Sequence, residues 1–308
     1  GANIVTRNLI IFGQGAIRAH PYLLDEMTAL QEPDREKALD DFDRLFWTHA
    51  GHSTKTALRA FGRSLTGRGP APREAGKARD LYGRLSRWSA AFALTADLAF
   101  LTLGGALKRK EMISARLGDA LSQMFLVAAA LKRWEDDGRP EADLPLVRHV
   151  AESSFQAIGE ALDAVIANFP ATWARWLLRI VTRPRAHARG PSHALIEKVA
   201  MLVYPPSETR DRLVGRLHPG AADSGLGLLE HAYRLVLDTE PLRKRLRDLK
   251  KTPDAARNAG GLSDADLARL AEADEAVRRV VAVDDFSPEA LARLYPDRTP
   301  PQHREAAE

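Results

Sequence analysis

Residues 81–101 read LYGRLSRWSAAFALTADLAFL, and this stretch decides the fold class. Leu81, Leu85, Trp88 and Phe92 recur at steps of three and four, while Leu94, Leu98 and Leu101 cover a second face. A helix that is apolar on several faces belongs in the middle of a bundle. Gly104-Gly105 closes it, and Ile113, Leu117, Leu121, Met124, Ala128 and Leu131 then repeat at three and four along a second helix. The turn Gly138–Pro145 ends that hairpin. Leu146–Phe169 reads as another long helix, broken by Pro170.

Upstream, Asn3–Ala19 is apolar and helix-like, and Pro21 restarts a short helix through Leu30. Pro33-Asp34 opens the next one, with Leu39, Phe42, Leu45 and Phe46 on one face and a break or kink expected at Gly51 before Ala57, Leu58 and Phe61 resume. Thr66–Lys77 has the Gly and Pro content of an exposed connection. Downstream, prolines punctuate shorter helices at Ser192–Tyr204, Ser207–Leu217 and Leu226–Leu237. Ser263 with Asp266 forms a capping-box signature, Ser287-Pro288 offers an N-cap and a proline at N1, and Pro296–Glu308 reads as a loose tail. No segment alternates with period two over six residues, and no fixed-period repeat occurs. The expected fold is an all-α helical bundle.

Composition narrows the function. Apolar residues make up 45% and charged residues 28% of 308, an ordinary balance for a globular chain. A formal charge of +4 is too small for a global field that would attract nucleic acid. The absence of cysteine excludes disulfides, thiolate metal sites and cysteine nucleophiles. The opening Gly1-Ala2-Asn3-Ile4 carries no signal-peptide pattern and reads as a cut made inside a longer protein. Ala90–Leu107 is the best membrane-span candidate, but Asp97 and Gly104-Gly105 interrupt it, so a buried core helix is expected.

Leu9-Ile10-Ile11-Phe12-Gly13-Gln14-Gly15 imitates a strand entering a dinucleotide-binding turn. The third small residue required there is Arg18 and no second strand follows, so the glycines read instead as a close helix–helix contact. His49 and His52 stand three apart without a neighbouring glutamate to complete a metal set, and His187 and His193 flank a Gly-Pro pair. All four read as surface or capping residues. No nucleophile elbow, Walker loop or zinc-protease helix is present, and no catalytic chemistry is read after Leu30.

The segment 171–181, ATWARWLLRIV, is more informative. At 100° per residue Trp173, Trp176, Leu177, Ile180 and Val181 share one arc, with Arg175 and Arg179 opposite and Leu178 the exception. Between Trp173 and Gly190 there are five arginines and no acidic residue. Indoles beside arginines suit the headgroup boundary of an anionic membrane, so Trp173, Trp176, Leu177, Arg175 and Arg179 are the membrane-contact candidates. The competing reading is a helix docked on the bundle with a solvated arginine face. Arg243-Lys244-Arg245-Leu246-Arg247 reads as a solvated helix face, and without aromatic platforms for bases nucleic acid is not expected as a partner.

Gly1-Ala2-Asn3-Ile4-Val5-Thr6-Arg7 resembles the segment that follows the catalytic base in acyl-CoA dehydrogenases, where Glu-Gly-Thr-Asn-Glu-Ile-Gln-Arg is common. Gly1, Asn3 and Arg7 match, while Ala2, Ile4, Val5 and Thr6 depart. Asn3–Pro21, Leu85–Asp97, Leu101–Glu111, Ser114–Asp119, Leu131–Leu146 and Ala174–Arg179 are similar to the bacterial long-chain branch of that family, whose members carry a C-terminal extension. The resemblance fades after about residue 250. It implies that residues 1–32 end the dehydrogenase helical domain, 33–250 form an accessory helical domain and 251–308 are short helices and tail. The implied reaction is FAD-dependent oxidation of acyl-CoA to trans-2-enoyl-CoA in fatty-acid β-oxidation, with an electron-transfer partner as acceptor. It places the base glutamate immediately before Gly1, Gly1 at the substrate, and Ala2, Asn3 and Ile4 along FAD, and so implies that these residues alone are inactive. A homo-oligomer in the cytoplasm, peripheral on the inner membrane, is the accompanying expectation. The rival from another class is a non-catalytic helical module for membrane association or dimerisation.

Overall fold

The computed structural model describes residues 6, 15–183, 189–215, 217–218, 220–221, 223, 225–250, 252–258, 261–282 and 286–294. Among them there are helices, turns and no strand, as expected. The chain divides into two compact units, Gly1–Thr209 and Arg210–Glu308.

The first unit runs α1 (Ala16–Ala19), α2 (Leu23–Ala29), α3 (Arg35–Thr66), α4 (Arg79–Leu103), α5 (Glu111–Asp136), α6 (Leu144–Ala167), α7 (Thr172–Thr182) and α8 (His193–Val203). Helix α4, built from the stretch quoted first, packs against α3, α5, α6 and α7. Its Leu81, Trp88, Leu94 and Leu98 are buried with Leu117 and Leu131 of α5 and Phe155, Ile158 and Leu162 of α6. Each large side chain fully withdrawn from water there contributes roughly 1.5–3 kcal/mol. Leu101, expected on a buried face, is exposed, two residues before α4 ends at Leu103 and the chain turns at Gly104 (φ 48°). Among the described residues, Arg73–Arg109 alone is long and apolar enough to cross a membrane, and it is this core helix.

Helix α3 runs unbroken through Gly51, about 48 Å in all. A helical glycine costs about 1 kcal/mol relative to alanine, and tertiary ties at His49 and Ser53, on either side of it, outweigh that. Asp34 caps α3 by accepting from the Glu36 and Lys37 backbone N–H groups. The connection that follows, Thr66–Lys77, is mostly exposed, as expected, and is anchored at points: Ala75 is fully buried, and Gly69 N–H donates to Gly83 O at 2.7 Å. A Cβ on Gly69 would meet Ser86 Oγ at 2.5 Å, so only glycine permits this approach.

The second unit contains most of α9 (Glu208–Val214), then α10 (Gly225–Leu249), α11 (Pro253–Asn258), α12 (Asp264–Val281) and α13 (Pro288–Leu294). Helix α10 continues twelve residues past the expected end and carries Pro241 in its interior. Leu242 and Leu246, amid the basic run, pack on Ala256, Leu262 and Leu270, which holds the extra turns in place. Arg243 and Arg247 pair with Asp274 and Glu240. Ser263 and Asp266 form the expected capping box, and Ser287 Oγ accepts from Ala290 N–H.

Candidate functional site

A polar cluster is built around His20, in the two-residue break between α1 and Tyr22. Its Nδ1 accepts from the backbone N–H groups of Tyr22 and Leu23, 3.2 Å each, and so caps α2, which has no side-chain cap of the usual kind. With Nδ1 an acceptor, the proton sits on Nε2 and is donated to Asp97 Oδ1 at 3.0 Å. Asp97 projects from α4, and its other oxygen accepts from Ser53 Oγ of α3 at 3.0 Å. One turn before Ser53, His49 Nδ1 bonds Glu26 Oε1 of α2 at 2.8 Å. The His49 ring stacks on Tyr22 and lies 4.7 Å from the His20 ring. Burial pushes the Asp97 carboxyl up, but the hydrogen bonds from His20 and Ser53 outweigh it and hold the group below its ordinary value.

His20, His49 and Asp97 can each offer a ligand atom within 4.8 Å of the others. Binding a cation through His20 Nε2 would move its proton to Nδ1, where two backbone N–H groups already point. Donor would face donor, so the set does not fit a resident metal. Nor is it a nucleophilic triad: Ser53 bonds the carboxylate, and the imidazole lies beyond it, so no base reaches the hydroxyl in the serine–histidine–aspartate order. The cluster is a clasp joining the start of the bundle to α3 and α4.

Beside the clasp is an apolar groove of about 550 Å³ between α4 and α5, lined by Leu85, Phe92, Phe100, Met124 and Phe125, with His52 and Asp97 at its wall. Among the described residues, none that lines it is Lys or Arg. The diphosphate of FAD would find no positive partner there, and the groove does not fit that cofactor. Gly1, Ala2, Asn3 and Ile4, the substrate and FAD contacts implied by resemblance, lie outside the described residues, as do residues 9–14 of the glycine-bearing segment.

Helix α7 forms as expected but turns differently from the sequence wheel. Leu178, the exception, is fully buried with Ala174 and Val181, and this stripe docks α7 on α3, α4 and α6. Ala174 lets the backbones approach. Ser64 Oγ and Arg87 Nη2 both donate to Thr182 O, at 2.8 and 3.4 Å, and fix the rotation. Val181 therefore leaves the arc assigned to it. Trp173 (56% exposed), Trp176 (59%), Leu177 and Ile180 face outward. Arg175 is half-buried, its Nε without a hydrogen-bond partner, and Arg179 reaches round to lie 5.8 Å over the Trp176 ring instead of opposing it.

Sequence reasoning missed His20, Glu26, Ser53 and Asp97, and took His49 for a surface or capping residue without a glutamate. Its partner Glu26 lies 23 residues away. The one available signal was Asp97 itself, a carboxylate in an otherwise apolar helix that demanded a buried donor. No solved structure matches the chain. The helical class, the opening motif and the extension motifs all point one way, and residues 17–286 match the family described as acyl-CoA dehydrogenase, C-terminal, bacterial type; the chain belongs to that family.

Proposed function

We propose that the chain is the C-terminal region of an FAD-dependent acyl-CoA dehydrogenase of the bacterial long-chain type, which oxidises acyl-CoA to trans-2-enoyl-CoA in fatty-acid β-oxidation and passes electrons to a separate acceptor. The observation that carries this reading is the family match, which begins at residue 17, ten residues after the end of the segment resembling the active-site strip. When bound, the flavin accepts hydride from the acyl β-carbon. No described residue is assigned a step in that chemistry: the Asp97 carboxylate is engaged by His20 and Ser53.

The work of this region is mechanical. The segment expected along FAD leads into α1, and the clasp at His20 ties that entry to α3 and α4. The test is to express the chain with the residues encoded upstream. A yellow protein that oxidises a long-chain acyl-CoA with an artificial electron acceptor supports the reading, and a colourless, inactive one removes it.

A further inference from the structure

Exposed apolar residues gather where α7 meets the C-terminal half of α3. On α7 they are Trp173, Trp176, Leu177 and Ile180, at positions i, i+3, i+4 and i+7. On α3 they are Leu58, Phe61 and Leu65, at i, i+3 and i+7. The two helices pack together, and Ser64, between Phe61 and Leu65, makes the hydrogen bond to Thr182 that joins them. Two amphipathic helices thus present apolar stripes that nothing in this unit covers.

Charge says what covers them. Residues 44–73 contain six Lys and Arg and no Asp or Glu; residues 164–196, which include all of α7, contain five and none. Eleven of the 45 basic residues and none of the 41 acidic ones fall in these runs, in a chain otherwise mixed in sign. Lys55, Arg59 and Arg68 are exposed on and just beyond α3, and Arg179 on α7 lies across the Trp176 indole. Others are already engaged: Arg63 donates to Ser86 O and Arg183 pairs with Asp163. A second copy docking through the same face would set positive charge against positive charge, which disfavours association. A surface of phosphates over hydrocarbon meets both halves of the pattern, with indole and phenyl rings at the headgroup boundary and guanidinium and ammonium groups on phosphate.

We propose that the α7 face and the C-terminal half of α3 together dock the protein on an anionic phospholipid bilayer. The docking is peripheral, since the stripes lie along helix faces and α7 is only eleven residues long. It does not depend on the dehydrogenase reading.

The test is flotation of the full chain with vesicles of phosphatidylcholine alone and of equal parts phosphatidylcholine and phosphatidylglycerol. Binding to the mixed vesicles only, weakened by added salt, is expected. Trp173→Ser with Trp176→Ser, and separately Leu58→Ser with Phe61→Ser, should each lower partitioning about tenfold. Lys55→Gln with Arg59→Gln should lower it about tenfold as well, on the mixed vesicles. All these positions are exposed, and circular dichroism checks that the variants stay folded. Absence of binding to mixed vesicles overturns the proposal, as does binding that ignores the α3 and α7 variants. Self-association in light scattering that the same variants abolish would overturn it in favour of a protein interface. A vesicle-binding protein that proves colourless with its upstream residues would sink the enzyme reading and leave this one standing.

Discussion

Replacing Asp97 separates a clasp from a chance meeting of polar groups. The carboxylate, 10% exposed, accepts from His20 Nε2 and Ser53 Oγ, each at 3.0 Å. In Asp97→Asn the amide oxygen can take the His20 proton while the amide nitrogen donates to Ser53, whose hydroxyl turns. Every group keeps a partner, and only the charge assistance is lost, about 1 kcal/mol. In Asp97→Ala the Ser53 hydroxyl can turn elsewhere, but His20 cannot shift its proton, because Nδ1 accepts from Tyr22 and Leu23. A stranded donor added to two lost bonds costs about 3 kcal/mol. At about 2–4 °C per kcal/mol for a body of this size, Tm should fall by about 3 °C for Asn and about 9 °C for Ala. The pH dependence gives a second check. The folded-state pKa of Asp97 is held below its ordinary value, so the charge-dependent stability is fully present above the unfolded value and lost as pH falls through the folded one. The gap between wild type and Asp97→Asn should stay constant down to about pH 5 and close below about pH 4. Thermal melts followed by far-ultraviolet circular dichroism measure both. Equal losses for Asn and Ala, or a gap that widens on acidification, would refute the reasoning.

Three further expectations test other parts of the first unit. Leu178→Ala should cost about 3 kcal/mol because the side chain is fully buried, whereas Trp176→Ser should change stability by no more than about 0.5 kcal/mol; the reverse order in melts would mean that α7 is rotated. Burial, the hydrogen bond to Glu135 Oε1 (2.8 Å) and that carboxylate's charge push Tyr82 up to about 12, so one of the five tyrosines should titrate late by ultraviolet absorbance and return toward the others in Glu135→Gln. The stability tied to Tyr82 is whole below its unfolded value near 10 and disappears as pH rises through about 12. Burial, then the positive charges of Arg183 and Arg84, lower the proton affinity of Arg87, whose hydrogen bond to Thr182 O is 3.4 Å long, so Arg87→Met should lie within about 1 kcal/mol of wild type in denaturant unfolding. A loss of about 3 kcal/mol would show that its stacking on Trp88, at 4.0 Å, holds the core.

The helices were legible where periodicity is long. Leu81 and Trp88 on α4, and Ile113, Leu117 and Leu131 on α5, are buried as the steps of three and four require. Local signals misled: Gly51 did not interrupt α3, held by His49 and Ser53 on either side, and α10 did not stop at Leu237, because Leu242 and Leu246 pack on other elements. Helix α7 was half legible. Its amphipathicity was evident, but a wheel cannot say which of two apolar stripes docks, and Ser64 and Arg87, meeting Thr182, settle that from elsewhere. The clasp was invisible because its partners are distant in sequence, His20 from Asp97 by 77 residues and Ser53 from Asp97 by 44. No local spacing encodes such a meeting.

The joint at Thr182 also sets an order of assembly. Its carbonyl receives a hydrogen from Ser64, 118 residues earlier, so the ribosome must work for on the order of ten seconds between making the two. Over that interval α5 and α6, joined by a short link and packed face to face, can close by themselves. The part of α3 that α7 covers, around Ser64, waits unfinished until α7 emerges, although α4 already lies alongside. A nascent chain stalled in that window would show this open joint to the crowded cell, and there a chaperone or a protease would find it.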